Sequence, residues 1–313
     1  MWWQIVRRLL IFLVSALVAS IVVFVLLTVV GDPARTALGT NATPQALAEM
    51  RLRMGLDRPI TTQYLSWIGG MAHGDFGTSF VTQLPIGPQI GERLLVTLWL
   101  VAGGMVVALV VALPLGTLAA LWHRRVAGWI LSGLSQLGIA VPAFLAGILL
   151  IAAFAVELGW LPSGSYVVPA TDPIGFLKHM VLPWASLGLV QGAVLARYVR
   201  SAVLDEMGQD YLRTARAKGM TLWRAVIRHG LRNASIPVLT VLGVQMITVL
   251  IGAVVVERVF VIPGIGSFLV DSVARQDRLA VQGIVVTIVV ISLAVSFLVD
   301  TAYALIDPRL RRR

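Results

Sequence analysis

The stretch Leu94–His123, LLVTLWLVAGGMVVALVVALPLGTLAALWH, contains no Asp, Glu, Lys or Arg. A helix crosses the hydrocarbon core of a bilayer with about 20 apolar residues, so this stretch is long enough to span a membrane. Stretches of the same composition are Leu9–Val30, Val126–Val156, His179–Ala196, Asn233–Val256 and Leu279–Val299. The sequence therefore predicts an all-α integral membrane protein with a bundle of six membrane-spanning helices.

The composition of the whole chain supports a membrane protein and excludes several other classes. Of its 313 residues, 58% are hydrophobic and 13% are charged, and the mean hydropathy is +0.88. A soluble domain is about 45–50% apolar and about 25% charged. The net charge of +10 does not indicate nucleic-acid binding, because the basic residues lie between apolar stretches instead of on one soluble face. The absence of cysteine excludes disulfides and thiolate metal sites.

The distribution of Lys and Arg predicts the orientation. The first apolar stretch follows Arg7 and Arg8, as the apolar part of a cleaved signal peptide would. It is longer than the about 7–15 residues of such a part, so we expect it to be retained as a membrane helix within residues 1–30. With the N-terminus inside, the inner segments hold 16 basic and four acidic residues, and the outer segments hold nine basic and ten acidic. Basic residues favour the cytoplasmic side. Both termini are thus predicted to be cytoplasmic.

The same topology predicts three parts of the chain. Residues 1–30 are the N-terminus and first membrane helix, and residues 31–93 form an extracytoplasmic segment, called the outer segment below. Residues 94–313 form a core of five helices, with cytoplasmic helices at about 205–230.

No residue pattern in the chain predicts catalysis. A phosphate-binding P-loop needs a lysine directly after a glycine, but Lys178 follows Leu177 and Lys218 precedes Gly219. No two histidines have the spacing of a zinc site, and no G-x-S-x-G sequence is present. Glu257 and Asp300 lie at the ends of predicted spans, where a snorkelling or interface-paired carboxylate is favoured over a proton relay. The chain is expected to be a non-enzyme whose energy source is a partner.

The cytoplasmic segment 205–232, DEMGQDYLRTARAKGMTLWRAVIRHGLR, has the pattern of two short helices joined at Gly219. Glycine can end the first helix in a left-handed conformation, and Thr221 can cap the second. The start of the first predicted helix carries three carboxylates, those of Asp205, Glu206 and Asp210, which suit the positive end of the helix. On the second predicted helix, arginines recur every four residues, at Arg224, Arg228 and Arg232. Two readings are open: a basic loop that meets lipid phosphates, or a docking element for a cytoplasmic ATPase.

The run DYLRTARAKG at 210–219 closely resembles the coupling-loop motif of ABC-importer permeases, and more narrowly that of the dipeptide/oligopeptide type. In that motif E-A-A precedes a glycine, and the corresponding positions here are Arg213 for the Glu, Ala215 for the second Ala and Gly219 for the glycine. The later I-x-L-P positions are His229, Leu231 and Arg232 and depart from the general motif, as they do in peptide permeases.

Shorter motifs extend this resemblance over nearly the whole chain and favour the B-type subunit. They are Gly31-Asp32-Pro33, Gly55-Leu56-Asp57-Arg58-Pro59, Gly74-Asp75-Phe76-Gly77-Thr78-Ser79, Pro142-Ala143-Phe144, Leu158-Gly159-Trp160-Leu161-Pro162, Glu257-Arg258-Val259-Phe260, Pro263-Gly264-Ile265-Gly266 and Asp307-Pro308-Arg309.

The resemblance implies a type I ABC importer fold and a set of partners. These are a homologous C-type permease, two cytoplasmic ATPase subunits that bind ATP and Mg, an extracytoplasmic substrate-binding protein and membrane lipid, with no cofactor or metal in this chain. The residues implied for ATPase coupling are Asp210, Tyr211, Arg213, Ala215, Arg216, Lys218, Gly219, Met220 and Trp223. Those implied for binding-protein docking or the pathway are Gly74, Asp75, Glu257, Phe260, Pro263, Gly264, Ile265 and Gly266. The last four of these are predicted to form a turn-rich outer loop. The resemblance also implies a location in a bacterial plasma (inner) membrane.

The substrate implied by the resemblance is a dipeptide or oligopeptide. Related permeases also carry nickel chelates, glutathione or murein peptides, and these stay open as alternatives. An ion-coupled secondary transporter that acts alone is the alternative from another class. It would predict inverted repeats and a midplane ionisable pair, and neither is visible in the sequence.

Overall fold

Helices dominate the chain. The computed structural model describes residues 2–29, 34, 38, 43–53, 55–79 and 81–306. The motifs Gly31-Asp32-Pro33 and Asp307-Pro308-Arg309 lie outside the described residues. The described chain divides into two units: unit 1 comprises Thr97–Pro263 and Val295–Ile306, and unit 2 comprises the described residues of Trp2–Val96 and Gly264–Ala294.

Unit 2 contains the first membrane helix and the outer segment. Its elements are α1 (Trp2–Val29), α2 (Pro44–Arg53), α3 (Ile60–Ala72), the start of α4 (Ile86–Leu121), α11 (Ile265–Ala274) and the start of α12 (Arg278–Ile306). Apolar side chains from α4, α11 and α12 form its core: Ile86, Ile90, Ile265, Phe268, Ala280 and Ile284.

Unit 1 contains the remaining helices. They are the rest of α4 and α12, α5 (Val126–Ala140), α6 (Ala143–Leu150) with a π-helical extension (Ile151–Glu157), α7 (Pro173–Met207), α8 (Asp210–Ala217), α9 (Leu222–Ala225), a π turn (Val226–Gly230) and α10 (Leu231–Val259). Helix α7 packs against α5, α6 and α10. It begins where Asp172 accepts a hydrogen bond from the Gly175 amide, 2.8 Å away, with Pro173 at its first position.

Small residues bring α4 and α7 close together within unit 1. A Cβ added at Gly188 would lie 2.5 Å from the Cβ of Val107, and one at Gly116 would lie 2.6 Å from the Ala196 carbonyl oxygen. Both distances are too short for a real Cβ atom, so the two helices can approach this closely only because these residues are glycines. Small residues are typical of helix interfaces in membranes, where they let two backbones approach. The indole of Trp184 adds a hydrogen bond to the Trp99 carbonyl at 3.0 Å.

The described helices give five membrane spans, or six if one bent pair is a single span. The five are Val6–Thr28, Ile86–Leu121, Pro173–Met207, Leu222–Val259 and Arg278–Val299. The bent pair is α5 and α6, which meet at an angle of 100°. The predicted stretch Val126–Val156 is therefore not one continuous helix. Val141 is extended and Pro142 has no amide hydrogen, so the helix cannot continue through them.

Candidate coupling element and outer segment

The segment 205–233, which the sequence predicts to be cytoplasmic, joins α7 to α10 within unit 1 and is called the coupling element below. Asp210 lies in the first turn of α8, as predicted. Asp205 and Glu206 do not start a helix; they lie in the last turn of α7, because this membrane helix continues past the hydrophobic stretch to Met207. The sequence interpretation was wrong for these two carboxylates.

Gly219 and Thr221 form the predicted junction. Gly219 has a φ of +89°, which is the left-handed conformation that favours glycine, and a Cβ there would meet no atom within 4 Å. Thr221 accepts a hydrogen bond from the Arg224 amide at 3.3 Å and caps α9. The glycine is therefore favoured by its backbone conformation and not by crowding.

The helix after Thr221 is not the short one that was predicted. α9, the π turn and α10 form one long helix from Leu222 to Val259, which includes a membrane span. The predicted four-residue arginine repeat is interrupted by the π turn, although Arg224, Arg228 and Arg232 are all exposed. Movement of the coupling element would therefore be transmitted directly into a membrane helix.

A buried leucine holds α8 in place. The side chain of Leu212 is 1% exposed and belongs to an apolar core that joins α4, α7, α9, the π turn and α10. The buried members of this core are Ala120, Val199, Ala202, Val203, Leu212, Ala225, Val226, Ala234 and Val238. Ala215 and Met220, which were predicted to contact a partner, are partly buried and pack against this core.

The opposite face of the coupling element is exposed and mostly basic. Asp210, Arg213, Arg216, Lys218 and Gly219 are all exposed. The Trp223 side chain is 49% exposed and that of Tyr211 is 37% exposed. Exposed aromatic and arginine side chains on a well-packed base are typical of protein interfaces.

Two polar contacts order this face. The Tyr211 hydroxyl donates a hydrogen bond to Glu206, and the Arg213 guanidinium lies 3.3 Å from the Asp210 carboxylate. Partial burial, followed by the hydrogen bond to Glu206, raises the pKa of Tyr211 above its ordinary value. The phenol therefore stays neutral at physiological pH and can act as a donor.

In unit 2, the connection between α3 and α4 comprises the described residues 73–79 and 81–85 and is called the outer turn below. Gly74 is exposed with a φ of +82°, and Asp75 is exposed and accepts a hydrogen bond from the Gly77 amide at 2.9 Å. Ser79 donates a hydrogen bond to the buried carboxylate of Asp277, 198 residues further on. This contact fixes the outer turn to the start of α12.

Most of the other predicted docking residues are buried. Glu257 and Phe260 in unit 1 are fully buried, and the Thr97 hydroxyl donates a hydrogen bond to Glu257. Glu257 is therefore not a snorkelling carboxylate. Ile265 and Gly266 in unit 2 form the start of α11 and not an open loop, and with Gly264 they are buried. These side chains offer no surface to a docking protein in this structure, whereas Pro263 is exposed.

Sequence reasoning missed three of these features. Leu212 carried a local signal, since it is an apolar residue among polar neighbours on a short helix. The Ser79–Asp277 and Thr97–Glu257 contacts carried none, because 198 and 160 residues separate the partners. For metal binding, the described residues contain no group of three or more His, Cys, Asp or Glu side chains that could hold an ion.

The described residues form apolar helices long enough to span a membrane, with a packed element between two of them. A family model described as "Binding-protein-dependent transport system inner membrane component" matches residues 112–312. The model of the N-terminal part of the same transport-system membrane components matches residues 1–101. The chain belongs to this family and is a multi-pass inner-membrane permease subunit of an ABC importer.

Curated relatives match over almost the whole chain. The glutathione transport system permease protein GsiC of Salmonella choleraesuis (strain SC-B67) is 39% identical over 308 residues, which cover 98% of each chain. The protein of the same name from Escherichia coli (strain K12) is 38% identical over the same length. A solved structure of an amino acid ABC transporter with histidines resembles this chain with a TM-score of 0.47 and 18% identity, covering 72% of this chain and 94% of that one.

Proposed function

We propose that this permease subunit forms half of a pathway for short peptides, and that the coupling element is its contact with an ATPase subunit. In the proposed complex, the chain pairs with a homologous C-type permease, two cytoplasmic ATPases that bind ATP and Mg, and an extracytoplasmic substrate-binding protein. The observation that carries the proposal is the two-sided packing of the coupling element: one side is held by the Leu212 core, and the other exposes Tyr211, Trp223 and a group of basic residues.

This packing suits the transmission of force. Closure of the ATPases on ATP would displace the exposed face, and the Leu212 core would carry α7, α8 and α10 along as one body. Because α9 is continuous with the span of α10, a rigid-body movement would reach the membrane without bending a loop. The importer would then alternate between states that differ in their affinity for the partners.

The proposed orientation places both termini and the coupling element in the cytoplasm. The excess of Lys and Arg in these segments supports it. The outer turn then faces the binding protein, and its exposed residues Gly74 and Asp75 form the proposed docking surface of unit 2. Pro263, which is exposed in unit 1, is a separate proposed contact.

The proposed substrate is a short peptide, with glutathione as the first candidate to test. The relatives named above are glutathione transport permeases, and glutathione is itself a modified tripeptide. Dipeptides and longer peptides are the next candidates, and nickel chelates and murein peptides follow.

Co-purification tests the proposal. The tagged full-length chain is expressed with its neighbouring genes, the bound proteins are identified, and ATPase activity is assayed with the binding protein loaded with glutathione or with a dipeptide. We expect a second permease and two P-loop ATPases, with hydrolysis stimulated by the cognate loaded binding protein. A chain that purifies as a homo-oligomer and transports in proteoliposomes without ATP would overturn the proposal in favour of an ion-coupled transporter.

A further inference from the structure

A cavity of about 310 Å³ lies in unit 2, at the end of the first membrane span, and is called the polar cavity below because charged side chains are part of its walls. Its walls come from α1, from the segment around α3, from the outer turn and from the start of α12. The residues that define its chemistry are Phe24, Arg58, Trp67, Asp75, Arg278 and Gln282. Ligand sites in proteins start at about this volume.

One buried amide in this cavity lacks a partner. The side chain of Gln282 is 3% exposed, and its Nε2 atom has no hydrogen-bond partner in the structure. A buried N–H group without an acceptor costs free energy, and nearly all such groups in proteins are paired. A ligand oxygen in the cavity would supply the missing acceptor.

The charges of the cavity favour an anion. Two guanidinium groups, those of Arg58 and Arg278, line it together with one carboxylate, that of Asp75. One oxygen of Asp75 already accepts a hydrogen bond from the Gly77 amide. Guanidinium groups bind phosphate with paired, charge-assisted hydrogen bonds, so a phosphate group fits this set of donors.

An apolar groove continues from the polar cavity. It has a volume of about 340 Å³ and lies between α1 and α3. Its walls are Ile21, Phe24, Val25, Ile60, Thr61, Tyr64 and Leu65. Phe24 lines both spaces, so a ligand with a polar head and an apolar tail could occupy them together.

The depth of these spaces matches the boundary between lipid headgroups and hydrocarbon. The first span ends at Thr28, which lines the polar cavity. With a rise of 1.5 Å per residue, Phe24 lies about 6 Å and Ile21 about 10 Å further into the membrane. Phe24 is also in contact with the rings of Tyr64 and Trp67, with centroids 5.4 Å away in each case. Tyr and Trp are typical of the membrane interface.

We propose that the polar cavity and the groove together bind one anionic phospholipid, with its phosphate beside Arg58, Arg278 and Gln282 and part of one acyl chain between α1 and α3. A peptide suits the groove poorly, because the Tyr64 hydroxyl already bonds to Ser20 at 2.8 Å and Thr61 is the other polar side chain along it. All residues of the site belong to unit 2. We assign the lipid to the outer leaflet, and this assignment rests on the orientation proposed above.

Lipid retention by the purified full-length chain tests this site. The chain is delipidated in detergent and titrated with phosphatidylglycerol or with phosphatidylcholine of the same acyl chains, and bound lipid is counted by native mass spectrometry. We expect phosphatidylglycerol to bind about tenfold more tightly, and Arg58→Gln and Gln282→Leu each to weaken it about tenfold, as expected for loss of a charged or buried hydrogen bond. The control Arg275→Gln removes an exposed cation outside both spaces and is expected to change nothing.

Equal binding of the two lipids, or equal loss in the Arg275→Gln control, would overturn the proposal. Displacement of the lipid by inorganic phosphate or by a dipeptide at equal concentration would also overturn it, because the occupant would then need no acyl chain. If Gln282→Leu fails to fold, Arg58→Gln decides, since Arg58 is exposed and its loss leaves no buried group unpaired.

A second variant pair tests the groove separately. Leu65→Trp narrows the groove at a side chain that is 66% exposed, and we expect it to weaken phosphatidylglycerol binding severalfold. Its control is Leu95→Trp, at a side chain of α4 that is 58% exposed and lies outside both spaces. Unchanged binding in Leu65→Trp would contradict the acyl-chain part of the site.

Discussion

The coupling element and the outer turn each connect two helices, but different interactions hold them. In the coupling element, apolar side chains around Leu212 form the base, and the charged groups stay on the exposed face. In the outer turn, a hydrogen bond from Ser79 to the buried carboxylate of Asp277 makes the long-range contact. Apolar packing tolerates many surface charges, whereas a buried carboxylate depends on the partner that satisfies it.

This difference matches the proposed work of the two regions. A contact that receives force from an ATPase needs a base that moves as one body, and a packed core provides that. A turn that presents Gly74 and Asp75 to a binding protein needs a fixed backbone conformation. It does not need to move together with distant helices. The variants below test the comparison, in order of decreasing expected effect on stability.

Leu212→Ala is expected to have the largest effect. Truncation of a fully buried leucine costs about 2–5 kcal/mol of unfolding free energy, so the variant should lower the melting temperature of the purified chain and its recovery with the ATPases. Ile227→Ala is the control, because that side chain is 45% exposed on the same element. Equal melting temperatures for the two variants would show that the Leu212 core does not hold the element.

Ser79→Ala is expected to cost about 1–3 kcal/mol, because it leaves the buried Asp277 carboxylate without its hydroxyl donor. In a double variant, Asp277→Asn added to Ser79→Ala is expected to recover part of this loss. Without the Ser79 hydroxyl, a neutral amide at position 277 costs less free energy to bury than the charged carboxylate. Thermal melts of the single and double variants measure both effects. A double variant that is less stable by the sum of the two single losses would contradict a direct contact.

Gly219→Ala is expected to cost about 1–2 kcal/mol, because a non-glycine residue is disfavoured at this positive φ even with open space around it. Gly133→Ala is the matched control: Gly133 also has open space but lies within α5, where alanine is expected to stabilise by about 0.5–1 kcal/mol.

In the assembled importer, Gly219→Val is expected to uncouple ATP hydrolysis from uptake while the chain still inserts in the membrane. Membrane levels by immunoblot, transport and substrate-stimulated ATPase are measured together. Normal stimulated hydrolysis with normal uptake in this variant would count against the coupling role of the junction.

Tyr211→Phe is expected to have the smallest effect, at most about 1 kcal/mol, because the hydrogen bond to Glu206 lies at an exposed side chain. The folded-state pKa of Tyr211 is raised, so this contribution is complete below the ordinary tyrosine pKa of about 10 and is lost as the pH rises through the folded-state value. Stability of the two proteins between pH 7 and alkaline pH, measured by urea titration, should converge at the alkaline end. A difference that grows with pH would contradict the assignment.

The fold was predictable where local patterns determine it. Long uncharged stretches identified the spans, and Gly219 and Thr221 identified the junction, because helix ends depend on residues within one turn. The break at Pro142 was missed because composition alone did not distinguish a bent span from a straight one. The start of α11 at Ile265 was read as a loop because proline and glycine dominate that motif, although a helix can begin directly after them.

The site was less predictable because burial depends on contacts between distant residues. Met220 and Ala215 belong to the motif that predicted an interface, yet both are partly buried and pack against the Leu212 core. Glu257 was read as a carboxylate at a span end, and the fold buries it beside Thr97. Neither arrangement has a signal within a few residues of the side chain concerned.

Accessibility of single cysteines tests the central claim, that the exposed face of the coupling element meets a cytoplasmic ATPase. The chain has no cysteine, so Trp223→Cys and Val261→Cys each provide one thiol, at side chains that are 49% and 74% exposed. The continuous helix from Leu222 to Val259 separates these positions by about 55 Å, enough to place them on opposite sides of the membrane. In cells that make the whole importer, a thiol cross-linker is expected to join Trp223→Cys to the ATPase, and an impermeant reagent added outside is expected to label Val261→Cys alone. Cross-linking of Val261→Cys to the ATPase, or labelling of Trp223→Cys from outside, would contradict the account.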